Sequence, residues 1–384
     1  MEDNMKAIYQ QKVKMENRRK ILNLMWHKYP ISRSEISRIL KMNKSTITNI
    51  SNELIEEGLI TITGSRQEGV GRSFTMLSLD NGFGFAVGVM ISTMDVIVAI
   101  SDLYSNIIWK STFDIDRDNA QQKLLNRIFA LINKGISECG VDEKKILGIG
   151  VSVPSGVEHS TGFMYATPSI NLYNVPIKEY FNKAFNLPVY VFSNSANAAR
   201  AEKWFGETAK TKADVACLEI SRGVGLGIII NGQVFTGARG FAGSDAAHMV
   251  LDPQGPLCAC GKHGCWDCLG SIMALGDDPL DVIIERAKSG DRYTIEKMQS
   301  MGAYIGYGIA NIIKILNPDR VVLSGPIVRT KEWVYESILE SVKATVWPHI
   351  YNNTVITFSL LKESAPVLGG VMSVIESVID QIPL

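Results

Sequence analysis

Four of the six cysteines and two of the five histidines lie close together between His248 and Cys268. Tetrahedral zinc takes four nitrogen or sulfur donors that a loop can bring to one point, and this stretch offers His248, Cys258, Cys260 and Cys265. Glycines and a proline between the donors would let the backbone turn tightly around an ion. The spacing therefore predicts one structural Zn²⁺ per chain, held by a loop rather than by a helix.

Two other interpretations of these cysteines remain open. They could be reduced structural thiols, or Cys265 and Cys268 could form a redox pair, since they have CxxC spacing. Cys268 is also a fifth candidate donor, which a four-ligand site does not need.

The same stretch resembles the zinc-loop signature of the ROK family. The shared pattern is His248-Met-Val-x-Asp-x-x-Gly-Pro-x-Cys-x-Cys-Gly-x-x-Gly-Cys-Trp-Asp. This family contains sugar kinases and sugar-responsive transcriptional repressors. The Gly-Cys-Trp-acid ending and the overall layout resemble its xylose-responsive repressors. The resemblance implies a two-lobed, actin-like (ribonuclease H-like) body, and the rest of the chain has to distinguish a kinase from a repressor.

Composition bounds the organisation of the chain. At 384 residues with 46% hydrophobic residues, two or three domains with sizeable cores are expected. The formal net charge is zero, yet residues 1–78 carry 13 basic and 8 acidic residues, an excess of five positive charges. A basic N-terminal segment in a neutral protein is typical of a part that faces nucleic acid.

Nothing in the sequence indicates export or a membrane partner. The first twenty residues are polar rather than a secretory signal, and the apolar stretch from Gly82 to Ile100 is better explained as two buried strands around a turn. Cys139 and Cys217 are isolated and fit buried thiols in a reducing compartment. We therefore expect a cytoplasmic protein.

Residues 1–78 predict a winged helix-turn-helix. A first helix covers Asn17 to Leu24. Ser32 and Glu35 form a capping box ahead of a short helix that buries Ile36, Ile39 and Leu40. A second short helix starts at Lys44, a strand follows Gly58, and residues 72–79 return as its partner.

The exposed face of the second short helix carries groups that can reach phosphates and base edges in a major groove. Two wing arginines could contact the minor groove or the backbone. The candidate DNA-binding residues are Arg33, Lys44, Ser45, Thr46, Thr48, Asn49, Arg66 and Arg72. The segment resembles the DNA-binding half of ROK repressors, including the Gly71-Arg72 pair; a small helical protein-interaction domain is the alternative.

From residue 79 onward, strands alternate with helices, which predicts two α/β lobes. We assign 79–195, with the C-terminal segment 368–384, to lobe I, and 196–367, with the zinc loop and a dimerisation surface, to lobe II. Pro154, Ser155 and Gly156 follow the strand Ile146–Val153, at the carboxyl end where open sheets bind ligands. Between Met301 and Leu316, small residues would let a helix pack closely on a sheet or a partner subunit.

Two features that the resemblance requires of a sugar kinase are missing. The first phosphate loop should contain Asp-x-Gly-x-Thr, but the matching run Gly88-Val-Met-Ile-Ser-Thr-Met94 has a methionine in place of the aspartate. The catalytic base should be the Asp of Asn-Asp-x-Asn, whereas this chain has Asn194-Ser195-Ala-Asn. A glycine-rich run, Ser221–Gly227, resembles a second phosphate loop, but ordinary glycine turns have the same composition. We therefore predict no enzymatic activity.

The sugar cleft implied by the resemblance keeps most of its polar positions. The family's glutamate position is ambiguous, since the run from Gly240 to His248 is one residue longer than the pattern. Ser244 fits when counted from Gly243 and Asp245 when counted from His248; we favour Asp245, because a carboxylate can accept two hydroxyls. The implied sugar-binding residues are Ser155, Gly156, Asn171, Asn194, Ser195, Asp245, His248 and Asp267. Taken without the resemblance, Asn171, Asn194 and Asp267 are ordinary turn or cap residues.

Together these features predict a sugar-responsive repressor that binds double-stranded operator DNA as a homodimer or a dimer of dimers. A xylose- or glucose-like effector would release it. A hexose kinase and a ligand-independent DNA-binding regulator are the alternatives.

Overall fold

The computed structural model describes residues 2–67, 73–116, 120–207, 209 and 213–381. An N-terminal head is followed by two lobes, each built on a five-stranded sheet. This is the order of elements expected from the sequence. Arg72 and Gly71, predicted to close the wing, lie outside the described residues.

The head is a three-helix unit with a small antiparallel sheet of order β1-β3-β2. Its first helix ends close to the predicted position but begins at Glu2 rather than at Asn17. The core contains Ile21, Ile47 and Leu77, all without exposed surface. The elements of the head are α1 (Glu2–His27), β1 (Ile31–Ser32), α2 (Arg33–Leu40), α3 (Lys44–Glu56), β2 (Ile60–Gln67) and β3 (Ser73–Leu79).

The capping box at the start of α2 is confirmed. The Ser32 hydroxyl accepts from the Glu35 amide, and the Glu35 carboxylate accepts from the Ser32 amide at 3.0 Å. Lys41 ends the helix in the left-handed region, with φ 53°. Ile36 is buried as predicted, but the prediction for Ile39 is wrong: its side chain is 40% exposed, because it faces away from the core on a helix of only eight residues.

Lobe I has a mixed sheet of order β11-β7-β4-β5-β6 and a small antiparallel sheet of order β10-β9-β8 beside it. Its central strands are almost continuously apolar and buried, as expected for a sheet covered on both faces. The elements of this part are β4 (Phe85–Ile91), β5 (Asp95–Ser101), β6 (Ile107–Asp114), α4 (Gln121–Glu138), β7 (Ile146–Val153), β8 (Val157–Glu158), β9 (Phe163–Thr167), β10 (Leu172–Pro176), α5 (Ile177–Phe185), β11 (Val189–Ser193) and α6 (Asn194–Phe205).

Lobe II repeats this plan with a sheet of order β14-β13-β12-β15-β16. The last helix of the chain returns to pack on the lobe I strands β4 and β7 and on α6. The elements are β12 (Val215–Ile220), β13 (Val224–Ile230), β14 (Gln233–Val234), α7 (Trp266–Gly270), α8 (Leu280–Lys288), α9 (Arg292–Leu316), β15 (Arg320–Ser324), α10 (Lys331–Thr345), α11 (Pro348–Tyr351), β16 (Val355–Phe358) and α12 (Ala365–Gln381).

Helix α6 lies between the lobes. It packs on α12 and also on β12 and β13 of lobe II. A Cβ on Gly227 of β13 would come 2.0 Å from the Ser195 carbonyl oxygen, so the helix can lie this close only over a glycine. The proposed lobe boundary between residues 195 and 196 therefore falls inside one continuous helix.

Glycines of α9 let it pack closely on a neighbouring helix of the same chain. A Cβ on Gly302 would lie 2.7 Å from the Val334 carbonyl oxygen of α10, and one on Gly306 would lie 2.6 Å from that of Ile338. Gly308 lies against the indole of Trp266. The glycines thus let α9 approach both α10 and the zinc loop.

Candidate functional site: a thiol cluster, an interlobe cleft and a DNA-facing head

The four predicted metal donors come together. One donor atom from each of His248, Cys258, Cys260 and Cys265 lies within 4.8 Å of all the others. The Cys258 sulfur is 3.7 Å from Nδ1 of His248, and the Cys260 and Cys265 sulfurs are 3.5 Å apart. A tetrahedral zinc ion with ordinary bond lengths places its sulfur and nitrogen donors roughly 3.6–3.8 Å apart. The donor set therefore fits such an ion in both chemistry and spacing.

Local backbone pairing builds this zinc loop. Val250 bridges to Cys265, and Leu257 bridges to His263, so the loop folds into a narrow double strand. Gly264, at φ 65°, closes it, since a Cβ there would lie 1.5 Å from the Asp252 carbonyl oxygen. The loop is anchored by Trp266, which has no exposed surface.

The buried thiol of Cys265 resists ionisation. Burial, followed by the neighbouring thiols Cys260 and Cys258, raises the pKa of Cys265 to about 12. A bound divalent ion would reverse this effect, because it stabilises thiolates directly. Cys268 lies outside the four-donor group, and its sulfur is 4.0 Å from the Leu257 carbonyl oxygen.

The cleft begins where three parallel strands of lobe I end. Strands β4, β7 and β11 are neighbours, with Val153 beside Ser193 in register. Ser155 and Gly156 follow β7, and Asn194 follows β11, so the sheet itself brings these predicted residues together. The side-chain amide of Asn194 donates to the Ile91 carbonyl oxygen at 3.0 Å, while its Oδ1 atom is buried without a hydrogen-bond partner.

Ser244, rather than Asp245, lies against the lobe I side of the cleft. A Cβ on Gly156 would be 3.1 Å from the Cβ of Ser244. The hydroxyl oxygen of Ser244 is buried and has no partner, whereas Asp245 is exposed at the start of a short 3-10 turn. The geometry therefore favours Ser244 at the ambiguous position, against the preference from the sequence.

Asp267 connects the zinc loop to the turn between β12 and β13. Its Oδ1 accepts from the Val224 amide at 2.8 Å. Burial raises the pKa of Asp267, while that hydrogen bond and the nearby His248 imidazole lower it in part. His248 and Asp267 thus lie at the two ends of the zinc loop in sequence, but they are close together in the structure. The zinc loop positions both.

The two remaining predicted cleft residues differ in their surroundings. Ser195 is buried, and its hydroxyl is 3.2 Å from that of Ser193. Asn171 is exposed between β9 and β10, in the left-handed region with φ 54°. Its conformation is typical of an asparagine in a turn.

The two stretches that resemble phosphate loops in the sequence make contacts within the protein. Met90 packs in a small apolar cluster with Ile97, Ala99 and Val367. In the glycine-rich turn after β12, the Ser221 amide donates to the Gly223 carbonyl oxygen, and the Val224 amide donates to Asp267. These two amides are therefore already bonded and do not point to a phosphate.

Helix α6 reaches from the cleft to the head. It begins at Asn194, and near its other end Trp204 lies edge-on against Trp26 of α1 and stacks on His27, with centroids 4.8 and 5.1 Å apart. The indole of Trp26 in turn donates to the Leu103 carbonyl oxygen at 2.8 Å.

A half-buried carboxylate on α12 fixes the middle and end of α6. Glu376 accepts from Arg200 at 2.9 Å, Lys203 at 2.8 Å and Trp204 at 2.6 Å. Burial acts to raise the pKa of Glu376, but the charges of Arg200 and Lys203 outweigh it and hold the pKa at about 2. The carboxylate therefore stays ionised.

The predicted DNA-facing side of α3 is exposed. Ile47, Ile50 and Leu54 face the core, which leaves a polar surface on the opposite side. The helix has no acidic residue in its first turn, and the Thr48 hydroxyl donates back to the Lys44 carbonyl oxygen. Exposed positions on this surface are Lys44, Ser45, Thr48, Asn49 and Asn52, with Thr46 half-buried.

Two of the arginines predicted to contact DNA, Arg33 and Arg66, make hydrogen bonds within the head. Arg33 donates to the Asn52 side chain at 2.9 Å and so braces α3. Arg66 of β2 donates to Glu35 at 2.9 Å, which links the wing to the capping box of α2. Backbone hydrogen bonding and Arg66 both act to lower the pKa of Glu35, to about 2.

Comparison with known proteins supports the order of a winged helix-turn-helix head followed by a two-lobed body. Residues 86–376 match the ROK family, and residues 16–61 match a winged helix-turn-helix DNA-binding family. The chain belongs to the ROK family. The xylose repressor of Caldicellulosiruptor bescii is 30% identical to it, over 96% of this chain and 97% of the relative.

Solved ROK structures confirm the predicted fold class. A ROK family transcriptional regulator described as a homologue of the Escherichia coli MLC protein has a TM-score of 0.82 and 25% identity, and covers 96% of this chain and 97% of its own. The ROK hexokinase of Thermus thermophilus has a TM-score of 0.64 and 22% identity, over 77% of this chain and 99% of its own. The kinase therefore shares the body fold. Among the described helices, none is long and apolar enough to cross a membrane.

Several residues of interest were not found from the sequence. The roles of Glu376 and Trp26 could not be predicted, because each residue contacts a partner that is distant along the chain. Tyr165 and Phe241 also went unnoticed, since single aromatic residues in short strands and loops are common. Only the structure shows that these two rings face each other across the lobes.

Proposed function

We propose that this protein is a sugar-responsive transcriptional repressor of a carbohydrate-utilisation operon, with no phosphotransfer activity. The observation that carries the proposal is α6, which starts at Asn194 in the cleft and ends with Trp204 against Trp26 of the head. A ligand that moves the start of this helix would also shift the contact with the DNA-binding unit. The repressors among its relatives support the same function.

The effector is a neutral aldose resembling xylose or glucose. Two buried polar atoms in the cleft, Oδ1 of Asn194 and Oγ of Ser244, have no hydrogen-bond partner. Such atoms are costly to bury unless a ligand or water satisfies them, and sugar hydroxyls can donate to both. Ser155, Gly156, Asn171, Ser195, His248 and Asp267 complete the proposed contact set, with Ser244 preferred to Asp245.

One structural zinc ion per chain, bound by His248, Cys258, Cys260 and Cys265, completes the site. With Nδ1 of His248 on the metal, Nε2 is left to bond a sugar oxygen or a carboxylate. The ion would fix the orientation of this ring and brace the loop that carries Asp267. Its role is in positioning; no reaction is assigned to it.

Operator binding uses the polar face of α3 in the major groove, with Lys44, Ser45, Thr48 and Asn49 as the contacting residues and Thr46 beside them. Arg33 and Arg66 brace this surface. Arg72 is proposed for the wing from the sequence alone. A protein of this kind works in the cytoplasm, where its operator lies.

The repressor acts as a homodimer or a dimer of dimers on a pseudo-palindromic operator. Exposed apolar side chains of α9 and of the zinc loop support a subunit contact there; they are Tyr307, Ile315, Val250 and Leu257. Sugar binding favours one arrangement of the lobes and so changes the spacing of the two heads. The ligand shifts this equilibrium only by its differential affinity, typically ~1–3 kcal/mol.

A gel-shift assay on the DNA flanking the protein's own gene, with and without a panel of neutral sugars, tests the proposal. We expect a specific complex that one class of sugar dissociates. Sugar-independent binding, with no sugar-dependent thermal shift, would favour a ligand-independent regulator instead. Sugar-dependent conversion of Mg-ATP to ADP, with the phosphoryl group transferred to the sugar, would favour the kinase.

A further inference from the structure

Two aromatic rings meet at the mouth of the cleft. Tyr165 belongs to β9 in lobe I, Phe241 belongs to the loop after β14 in lobe II, and their ring centroids are 5.9 Å apart at an angle of 51°. Tyr165 is 51% exposed although Phe163 packs on its edge at 5.0 Å. A tyrosine ring held in place with half its surface in solvent is available to a ligand.

Both rings are fixed to the residues that line the cleft. A Cβ on Gly156 would lie 2.8 Å from Cδ1 of Phe241, so the glycine leaves room for this ring. The Ser155 hydroxyl donates to the Ala166 carbonyl oxygen at 2.8 Å, next to Tyr165 in β9. The aromatic pair is therefore continuous with the cleft floor.

The segments next to the two rings, residues 157–159 of lobe I and 239–240 of lobe II, are also in backbone contact. The His159 amide donates to the Arg239 carbonyl oxygen at 3.1 Å, and a Cβ on Gly240 would meet the Val157 carbonyl oxygen at 2.6 Å. The two lobes thus touch at the mouth, and the aromatic pair lies at this junction. A ligand that contacts both rings would bridge the lobes.

We propose that Tyr165 and Phe241 form a stacking platform for the C–H face of a pyranose ring and set the specificity of the cleft. This inference rests on the proposed function, because it assumes a sugar effector. A pyranose with all its hydroxyls equatorial has axial C–H bonds on both faces and presents an apolar surface, which aromatic rings bind. The polar rim of the same sugar reaches Asn194 and Ser244.

The chemistry of the cleft indicates a neutral ligand. The unpartnered atoms are a neutral amide oxygen and a hydroxyl oxygen. Asp267, whose carboxyl group bonds the turn between β12 and β13 beside the site, would repel a sugar acid or a sugar phosphate. The inferred effector class is therefore a neutral, all-equatorial aldopyranose or its β-glycoside, with an axial epimer disfavoured.

Calorimetric titration of the full-length protein with xylose, methyl β-xyloside and lyxose, the 2-epimer of xylose, tests the platform, and glucose is titrated alongside them. In Tyr165→Ala and Phe241→Leu we expect the affinity for xylose to fall about fivefold to tenfold, as for the loss of one aromatic contact. The preference for xylose over lyxose should fall as well. Tyr165→Phe should bind like the unaltered protein, because the ring rather than the hydroxyl makes the contact.

Tyr173→Ala is the matched control, since this tyrosine is 49% exposed on the neighbouring strand β10. It should leave affinity and preference unchanged. If the unaltered protein binds xylose and both platform variants keep its affinity and preference within twofold, the stacking inference is wrong and the proposed function stands. If the unaltered protein binds none of the three sugars nor glucose, the proposed function fails with it.

Discussion

Trp204 of α6 lies edge-on against Trp26 of α1, with the ring centroids 4.8 Å apart. Because α6 starts in the cleft and α1 belongs to the head, this contact joins the two sites. The stacking of His27 on Trp204 and the hydrogen bond from Trp26 to Leu103 fix the geometry of the contact. It is a direct contact between the helix that begins in the cleft and the DNA-binding unit.

Replacing Trp204 by phenylalanine should weaken this coupling. The smaller ring keeps an apolar core but loses part of the contact with Trp26 and the hydrogen bond to Glu376. We expect sugar affinity and sugar-free operator affinity to stay close to those of the unaltered protein, while the loss of operator affinity on adding sugar shrinks severalfold. Fluorescence anisotropy of labelled operator measures this. Trp347→Phe, at an exposed tryptophan, is the control, and an unchanged sugar response in Trp204→Phe would contradict the route.

Replacing Glu376 by glutamine should destabilise the protein. The change leaves the Arg200 and Lys203 charges without their half-buried ionic partner, which costs roughly 1–3 kcal/mol. Because the pKa of Glu376 is lowered to about 2, its contribution to stability is present above about pH 4.5 and is lost as the pH falls towards 2. Urea unfolding at several pH values measures both effects. Equal stability of the two proteins at pH 7 would rule out the ionic network as a stabilising element.

Serine replacement should separate the metal donors from the fifth thiol. Cys265→Ser should lose the bound zinc and, with it, much of the sugar affinity, since His248 and Asp267 lose their support. Cys268→Ser should retain about one zinc per chain. Metal analysis of purified protein decides this. Zinc retained in Cys265→Ser but lost in Cys268→Ser would exchange the roles of the two residues.

Ser244 and Asp245 can be told apart by alanine replacement. Ser244→Ala removes a buried hydroxyl that has no partner, so the sugar-free protein should be as stable as before or slightly more stable. The same change should weaken sugar binding by about tenfold, as for a lost hydrogen bond to a ligand. Asp245→Ala should change neither property much. The reverse pattern in thermal-shift titrations would restore the preference derived from the sequence.

The head should show two kinds of DNA contact. Asn49→Ala removes a candidate base contact from the exposed face of α3 and should cost about 1–3 kcal/mol on the specific operator, with little effect on unrelated DNA. Lys44→Ala should weaken binding to the operator and to unrelated DNA by a similar factor. It should also reduce the slope of log affinity against log salt concentration by about one. Anisotropy titrations at several salt concentrations distinguish them. Equal losses on both DNAs for Asn49→Ala would remove it from base recognition.

Local chemistry explains which parts of the molecule the sequence could predict. The clustering of His248 with three cysteines and the Ser32–Glu35 capping box could be predicted because each lies within a short stretch whose spacing defines its geometry. The sequence could not choose between Ser244 and Asp245, because a one-residue insertion can be accommodated on either side; the packing of Ser244 against Gly156 is visible only in the structure. The Trp26–Trp204 and Arg200–Glu376 contacts join residues far apart in sequence, so no local sequence pattern predicts them.

The most direct test of a sugar-responsive repressor is to titrate the effector sugar into the free protein and into its complex with operator DNA. Linkage requires that a sugar which releases the operator binds the complex more weakly, by the same factor by which it lowers operator affinity. We predict a difference of about tenfold, within the usual range for such coupling. Equal sugar affinity in the two titrations would contradict the account.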